Sequence, residues 1–595
     1  MVYGFDFGTT NSLISVVENG RLRTFMDKDR NEPIPSVVCY EGSEKLVGNR
    51  AKIRLAEAGR GVYGNVVKSP KMFLGRSTLH VDGVARSVID VVADVVRGVV
   101  AQSQTGRPVE SVVATIPVDF NAIQRRALRE AYQAAGIRVR QFVHEPLAAL
   151  YGHLRSKGSA LSVARELDRK TVLVFDWGGG TLDLTLCRIE SGHVTQLVNA
   201  GTDSVGGDWF DELISRELVE HVRKKRAYGP VVASRADAAR VLLAGCERLK
   251  IDLSKMESAT VFVDDFFADV ERTEIAETVT RSELQRMTDR LIREGLGCVD
   301  SVLDRARLKP AQVDLCLATG GMLGMPAIRT RLAEKFGTDR VQTTTSIGAA
   351  ISQGAAWIAH DEATLTIARD LEVALARQSH LKVIAGGAAM PLENAAHRDS
   401  FSVFCVDPRD GKAQFTIATP DTLGRSVNAS DKRRTLAQMS LPVERSQDPF
   451  FERLRFEVEL DHDLMLNCIA TSELTAATVR CSVAELEFGL RLGGEAEPRV
   501  HNGSGAVDGS SSIEGSSHVW SGAESGELGV RSNLESAKSN WDAIPGELRH
   551  EFRPTDFNTL VTDGATQVQR EEMTRYKPCG RCGKLWHECR CKAIS

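Results

Sequence analysis

Long apolar runs are missing from this chain. Membrane-spanning helices need about 20 consecutive apolar residues, and the valine-rich stretch 88–100 is broken by Asp90, Asp94 and Arg97. The first residues hold no basic region followed by a long apolar run, so no secretion signal is expected. Charge of one sign is missing too. Its 75 Lys and Arg against 79 Asp and Glu leave a formal −4, which argues against a general nucleic-acid binder and leaves room for a local basic patch only. Most of the twelve cysteines show no disulfide-framework spacing. Eight are scattered singly from Cys39 to Cys481, as reduced and mostly buried thiols are, and a cytoplasmic location is the expectation. No internal repeat is present beyond one matched pair of loops.

Those loops are the most informative feature present. Asp6-Phe7-Gly8-Thr9-Thr10-Asn11-Ser12 follows the apolar run 2–5, and Asp176-Trp177-Gly178-Gly179-Gly180-Thr181-Leu182-Asp183 follows the apolar run 171–175. Glycine allows φ > 0 and lets backbone amides approach a phosphate closely. Threonine adds hydroxyl donors, and carboxylates suit a hydrated Mg²⁺. Each loop leads into a second apolar run, 13–17 and 184–189. The pair reads as two hairpins gripping one nucleotide from opposite sides, and the nucleotide indicated is ATP. The plainer reading of Asp6 and Asp176 is turn capping. The duplicated context favours a shared metal site, because facing carboxylates repel unless a cation lies between them.

A chain of 595 residues is too long for one core, so roughly two to four domains are expected. Residues 1–360 alternate strand-like and helix-like segments, the signature of an α/β fold with helices covering sheets. Residues 112–116 read as a buried strand ended by Pro117, and 121–136 as a helix stopped at Gly136. Residues 88–102 have apolar positions at helical spacing. Segments 284–307 and 347–360 are further helix candidates. From 371 to about 492 short alternating runs separated by turn residues (402–406, 413–418, 454–460) predict a small antiparallel β-sandwich. Residues 361–370 then form an interdomain linker, 493–540 a flexible Gly/Ser-rich linker, and 541–595 a tail.

The motif set Gly4–Ser12, SPKMFLGR (69–76), IPVDFNAIQRRALREAYQAAG (116–136), HEPLAALY (144–151), 176–183, GGDWFDEL (206–213), CERLKIDLS (246–254) and ATGGMLGMP (318–326) resembles the seventy-kilodalton heat-shock chaperone family, within the actin/hexokinase ATPase superfamily. The resemblance covers about 360 residues of a bilobed actin-like ATPase domain, and more loosely the β-sandwich. It implies roles residue by residue. Asp6 and Asp176 would hold a Mg²⁺ shell through water. Gly8, Thr9, Thr10, Asn11 and Gly178, Gly179, Gly180 and Thr181 would donate to the β- and γ-phosphates. Asp183 would lie near the attacking water, Lys71 would position the γ-phosphate and that water, and Glu145 would act near Mg²⁺ and in coupling. Pro117 and Arg125 would relay the nucleotide state. Gly206, Gly207, Asp208, Gly320 and Gly321 would line the ribose and phosphates, and Glu247, Lys250 and Ser254 the adenosine. Plainer readings exist: an acid beside an N1 proline suits any helix start, and 247, 250 and 254 share one helix face that solvent alone would explain.

The chain departs from the family pattern in several places. Ile251 and Gly324 stand where the family stacks adenine between two arginines, Met322 replaces a serine, and Gly348 stands where an aspartate is common. Loss of two cation–π contacts costs about 1–4 kcal/mol, so weaker ATP binding or looser base selectivity is expected. The leucine-rich linker is replaced by Thr364-Leu365-Thr366-Ile367-Ala368-Arg369-Asp370-Leu371. The helical lid is replaced by the Gly/Ser linker, so bound peptide should dwell briefly. The family's sandwich takes extended peptide by backbone pairing plus an apolar pocket, and residues 384–401 resemble the stretch holding those loops.

Cys579, Cys582, Cys589 and Cys591 fall within thirteen residues, with His587 among them as a substitute ligand. Cys-x₂-Cys is a familiar zinc half-site, and a segment so poor in apolar residues would need a metal to fold. A structural Zn²⁺ is expected in this tail. Three functions compete. The first is an ATP-hydrolysing chaperone-like machine binding unfolded or extended polypeptides, with a J-domain co-chaperone and a nucleotide exchange factor as implied partners. The second is a nucleotide-state switch or scaffold recruiting one specific partner through the zinc tail. The third is a small-molecule kinase or filament former, disfavoured because no sugar-kinase motif is present.

Overall fold

The computed structural model describes residues 1–493 and 560–562, apart from 29, 58–63, 230–231, 345–347, 377–378, 393–394, 422–430 and 449. Its chain divides into two compact units. The first comprises Met1–Ala368, Ala389–Ala395 and Glu487–Glu495. The second is built from Arg369–Ala388 and Ala396–Leu486, together with Leu560–Thr562. The cysteine cluster, His587 and nearly all of the Gly/Ser-rich linker lie outside the described residues.

The first unit is organised by two sheets, each centred on one glycine hairpin. In the first, Tyr3–Phe7 runs parallel to Ser111–Ile116 and antiparallel to Asn11–Glu18; Arg138–His144 and Arg21–Phe25 complete the order. Tyr3–Phe7 and Ser111–Ile116 are buried at every position, which is why they read as continuous apolar runs rather than alternating ones. In the second, Thr171–Trp177 runs antiparallel to Leu182–Glu190 and parallel to Leu315–Thr319, with Val341–Thr343 beyond.

Helices cover the sheets as their caps and apolar faces dictate. Asn121 caps Ala122–Ala134 through a capping box with Gln124, and Gly136 follows at φ 80°. Thr280 and Glu283 form a capping box on Arg281–Ala306, which buries Leu284, Leu291, Ile292, Val299 and Val302. Helix Ala350–His360 packs so closely that a Cβ on Gly4 would lie 2.2 Å from Ala356 N, and one on Gly354 1.7 Å from Ala148 O. Only glycine permits that approach of backbone to backbone. Trp177, fully buried, meets Phe175 and Phe210 edge-on at 5.7 and 5.8 Å.

In the second unit, His380–Ile384, Leu371–Ala374, Lys412–Pro420 and Arg433–Pro442 form one antiparallel sheet. The other runs Thr478–Val483, Leu466–Ser472, Arg453–Asp461, Ala396–Cys405 and Leu560–Thr562. Phe415 and Phe456, one from each sheet, stack at 5.2 Å, so the two inner faces share a core.

The segments that bracket the second unit in sequence belong to the first. Thr364–Ile367 and Phe488–Arg491 pair antiparallel with each other, and Phe488–Arg491 pairs with His193–Thr195 at the edge of the second sheet. The stretch read from the sequence as a linker therefore contains a strand of the ATPase-like unit, as does the end of the stretch read as sandwich. Leu365, Ile367, Phe488 and Leu490 are all buried there. Two short segments some 120 residues apart (364–367 and 488–491) give no local signal that they pair.

Candidate functional site

Each hairpin ends in a loop, and the two loops meet. Asp6 pairs with Leu13 and Phe7 with Ser12 in one hairpin; Asp176 pairs with Asp183 and Trp177 with Leu182 in the other. A Cβ on Gly179 would lie 2.4 Å from Thr10 Oγ1, and one on Gly180 2.8 Å from Thr9 Cγ2. The loops are thus in contact, and their glycines leave room for nothing larger than hydrogen on the facing sides. Gly178 N donates to Thr181 O at 2.9 Å, which folds the second loop. Ser36 braces the first: its hydroxyl donates to Gly8 O at 2.7 Å, and its amide to Thr10 O at 2.8 Å.

Under the loops lies a cluster of carboxylates around one lysine. Lys71 Nζ donates to Glu145 Oε1 at 2.7 Å, both groups being buried. Asp6 accepts from Thr115 Oγ1 at 2.9 Å, and Asp183 from Thr181 Oγ1 at 2.7 Å. Burial, then the charge of Glu145, pushes Asp6 up to about 7 and Asp183 up to about 8. The same causes hold Asp176 well above the usual carboxylate range. Asp119, exposed to solvent at its surface, is also raised, chiefly by desolvation. Among the described residues Lys71 is the cation that lowers Asp6, Asp119, Asp176 and Asp183, and it pairs with Glu145.

That imbalance suits a bound cation. Asp183 Oδ1 and Thr10 Oγ1 are buried without a hydrogen-bond partner, an arrangement costing about 1–3 kcal/mol per group unless something fills it. Among the described residues no three His, Cys, Asp or Glu side chains converge tightly enough to ligate an ion directly. Such a donor set would accept a cation that keeps its waters.

The glycines flanking the cleft are equally constrained. A Cβ on Gly206 would lie 2.4 Å from the Gly180 carbonyl, and one on Gly320, at φ 93°, 2.3 Å from Trp177 O and 2.5 Å from Asp176 Oδ1. Gly207 N and Asp208 N donate to Gly178 O and Gly179 O at 3.2 and 2.8 Å. Helix Gly207–Lys225 thus begins against the second loop, its amides supporting that loop. Nothing lies within 4 Å of a Cβ on Gly321.

The residues that the resemblance assigns to adenosine are tied together by their side chains. Lys250 Nζ is held by Asp211 at 2.7 Å and donates to Gly207 O at 2.9 Å. Glu247 pairs with Lys52 at 2.9 Å, Asp208 with Lys68 at 3.1 Å, and Ser254 Oγ donates to Lys250 O at 3.0 Å. A Cβ on Gly324 would rest 3.4 Å from Ser254 Oγ, so Gly324 adjoins this helix, whereas Ile251 is 45% exposed.

On the far side of Glu145, His144 is buried and meets Gln196 at 3.1 Å and the Phe488 ring edge-on at 5.3 Å. Burial lowers His144 to about 4. Gln196 also accepts from Phe488 N at 3.3 Å, and Gln141 donates to Ala363 O at 3.0 Å. Arg125 donates to Phe120 O at 2.6 Å, three residues beyond Pro117.

Sequence reasoning brought together most of these groups and missed several. Thr115 and Ser36 sit on a strand end and in a loop without a motif of their own, and Asp119, inside the 116–136 motif, was given no role. Asp211 and Lys52 are ordinary helix charges until the fold sets them beside Lys250 and Glu247. The four tail cysteines and His587 lie outside the described residues.

Comparison with known proteins follows the same lines. The family model described as Hsp70 protein matches residues 2–98 and 86–363. Relatives include the "Chaperone protein DnaK" of Metamycoplasma hominis, 31% identical over 343 residues, covering 56% of this chain and 54% of the relative. That of Mycoplasma mycoides subsp. mycoides SC is 30% identical over 333 residues, covering 55% and 54%. That of Mycoplasmoides gallisepticum is 29% identical over 376 residues, covering 60% of each. The chain thus spans little more than half the length of the relatives it matches.

Proposed function

The chain belongs to the Hsp70 family, and from that membership we propose that it binds and hydrolyses ATP with Mg²⁺ between the two glycine hairpins, and couples the cycle to holding and releasing extended or unfolded polypeptide on its β-sandwich. The observation supporting this most is the cluster of five carboxylates around Lys71 beneath two loops in contact.

In this reading the loop amides of 8–11 and 179–181 and the hydroxyl of Thr10, which has no hydrogen-bond partner among the described residues, hold the β- and γ-phosphate oxygens, while Gly178 N and the Thr181 hydroxyl brace the loop. A hydrated Mg²⁺, when bound, supplies the positive charge that Asp6 and Asp176 need to ionise together. Lys71, fixed by Glu145, presents its ammonium toward the transferring phosphoryl group. Asp183, raised to about 8, is a competent acceptor for a proton from the attacking water. Preorganised donors of this kind act without reorganisation as charge develops.

Partners follow as part of the proposal: unfolded polypeptide on the sandwich, a J-domain co-chaperone and a nucleotide exchange factor, all in the cytoplasm. ATP turnover of the full chain should rise when an unfolded polypeptide is added. Absence of both stimulation and peptide binding overturns the chaperone reading while leaving the nucleotide site to be tested by titration with ATP.

A second reading rests on the bracketing strands. Both ends of the inserted segment are tied into one sheet of the ATPase-like unit, and Phe488 touches His144, the neighbour of Glu145. A nucleotide-state switch, with the cysteine tail binding Zn²⁺ and recruiting one partner, would use such a tie. A single stoichiometric partner in a pull-down, lost on Cys582→Ser, favours it.

A further inference from the structure

Two thiols in the second unit face each other across a strand pair. Cys468 on Leu466–Ser472 is the direct antiparallel partner of Cys481 on Thr478–Val483. Directly opposed residues have Cα atoms about 4.5 or 5.5 Å apart depending on the ladder position, and a disulfide spans about 4.4–6.8 Å. Either ladder position therefore admits an S–S bond without moving the backbone. Cys468 is 1% exposed, whereas Cys481 is half-buried. Thr478–Val483 is the terminal strand of its sheet.

The two thiols are also electrically unequal. Their mutual hydrogen bond holds Cys481 below the ordinary thiol range and pushes Cys468 up. The better thiolate is thus the more accessible one. Among the described residues the other thiols lack this arrangement. Cys246 and Cys316 are buried, with burial pushing each up to about 12. Cys298, partly exposed on a helix, donates to Glu294 O at 3.5 Å and is also raised by burial.

We propose that Cys468 and Cys481 form a redox dithiol, a modification site oxidised by hydroperoxides to a cross-strand disulfide that ties the edge strand Thr478–Val483 to its neighbour. The Cys481 thiolate attacks one oxygen of the hydroperoxide, the O–O bond breaks, and the other oxygen leaves as alcohol or water after taking a proton. The Cys481 sulfenic acid is then attacked by the Cys468 sulfur; the S–S bond forms and the hydroxyl leaves as water with the second proton. Two thiols lose two electrons, and the hydroperoxide gains them. A dithiol reductant reverses the change, as suits a transient cytosolic disulfide.

The test treats the full chain with graded hydrogen peroxide, blocks remaining thiols with an alkylating reagent, and maps them by peptide mass spectrometry. Cys468 and Cys481 should lose alkylation together, at about tenfold lower peroxide than Cys298. A linked peptide pair lacking two hydrogens should appear and vanish with dithiothreitol. In Cys468→Ser, Cys481 should accumulate as a sulfenic acid trapped by dimedone. Cys481 oxidised no sooner than Cys298, oxidised while Cys468 stays free, or linked instead to a tail cysteine overturns the proposal. The wild-type measurement decides even if the variant fails to fold.

Discussion

Where the two glycine loops meet, proposed above as the phosphate end, the walls are backbone and the short side chains of Thr9 and Thr10. Loop touches loop, and a single added carbon on Gly179, Gly180, Gly206 or Gly320 would fall within 3 Å of a neighbouring atom. At the adenosine end the walls are side chains: Lys250 held by Asp211, Glu247 held by Lys52, Ile251 standing in solvent. A backbone wall has one shape and tolerates almost no substitution. A side-chain wall can be exchanged residue by residue, and under the proposed function this chain has exchanged it, with Ile251 and Gly324 where the resemblance leads one to expect arginine. Chemistry at the phosphates and selectivity for the base are therefore separable, and each can be attacked alone.

The largest effect should come from the one cation among the carboxylates. Lys71→Ala should lower ATP turnover by about 10²–10³-fold, the scale of losing one charge-stabilising donor, with ATP binding far less changed. Isothermal titration beside a phosphate-release assay checks this, and ordinary turnover in the variant removes the assigned role of Lys71.

A matched pair of glycine changes tests the contrast itself. Gly206→Ala meets the Gly180 carbonyl at 2.4 Å, where no flexible side chain can yield. Overpacking of this kind costs about 1–3 kcal/mol, so ATP affinity should fall roughly tenfold. Gly324→Ala meets only Ser254 Oγ at 3.4 Å and should leave affinity almost unchanged. Equal effects from the two variants would erase the distinction between the ends.

At the adenosine end, Ile251→Arg should strengthen ATP binding. One cation–π contact is worth about 0.5–2 kcal/mol, and turnover at saturating ATP should not move. A change in turnover rather than in affinity would place residue 251 in the wrong half of the cleft.

The smallest effect concerns pH. Asp6 lies near 7 and Asp183 near 8, against an ordinary carboxylate value near 4. Groups raised on folding contribute stability that is present below their ordinary value and lost as pH rises through the raised one. Without nucleotide or metal, thermal stability of the first unit should therefore decline by a few degrees as pH rises from about 4 to 8 and level off above that. Added Mg²⁺ should recover more of it at high pH than at low, because protons compete for the same oxygens. Stabilisation by Mg²⁺ independent of pH would mean that these carboxylates are not its partners.

Much of the site was legible because its parts are local. A strand, a tight glycine turn and a second strand lie within about fifteen residues, so both phosphate hairpins could be read directly, as could the capped helix at 122–134 and the Glu145-Pro146 helix start. Lys71 was legible only as part of a resembling string; alone it is a loop lysine, and its burial against Glu145 depends on chain 74 residues away. Thr115 and Ser36 were not legible, because nothing near them in sequence marks them, and Asp119 lay in the quoted 116–136 string without a role assigned to it.

The sequence by itself determined the alternating α/β pattern, the two loops where only glycine and small hydroxyls would serve, and the antiparallel character of 371–486, since each follows from backbone sterics or from a period of two or 3.6 residues. Tertiary structure alone decided which charges meet: Lys250 with Asp211, five carboxylates with one lysine, Phe488 with His144, Cys468 with Cys481. These pairings depend on register and strand order, and they join residues from 13 to several hundred positions apart, beyond the reach of any local periodicity.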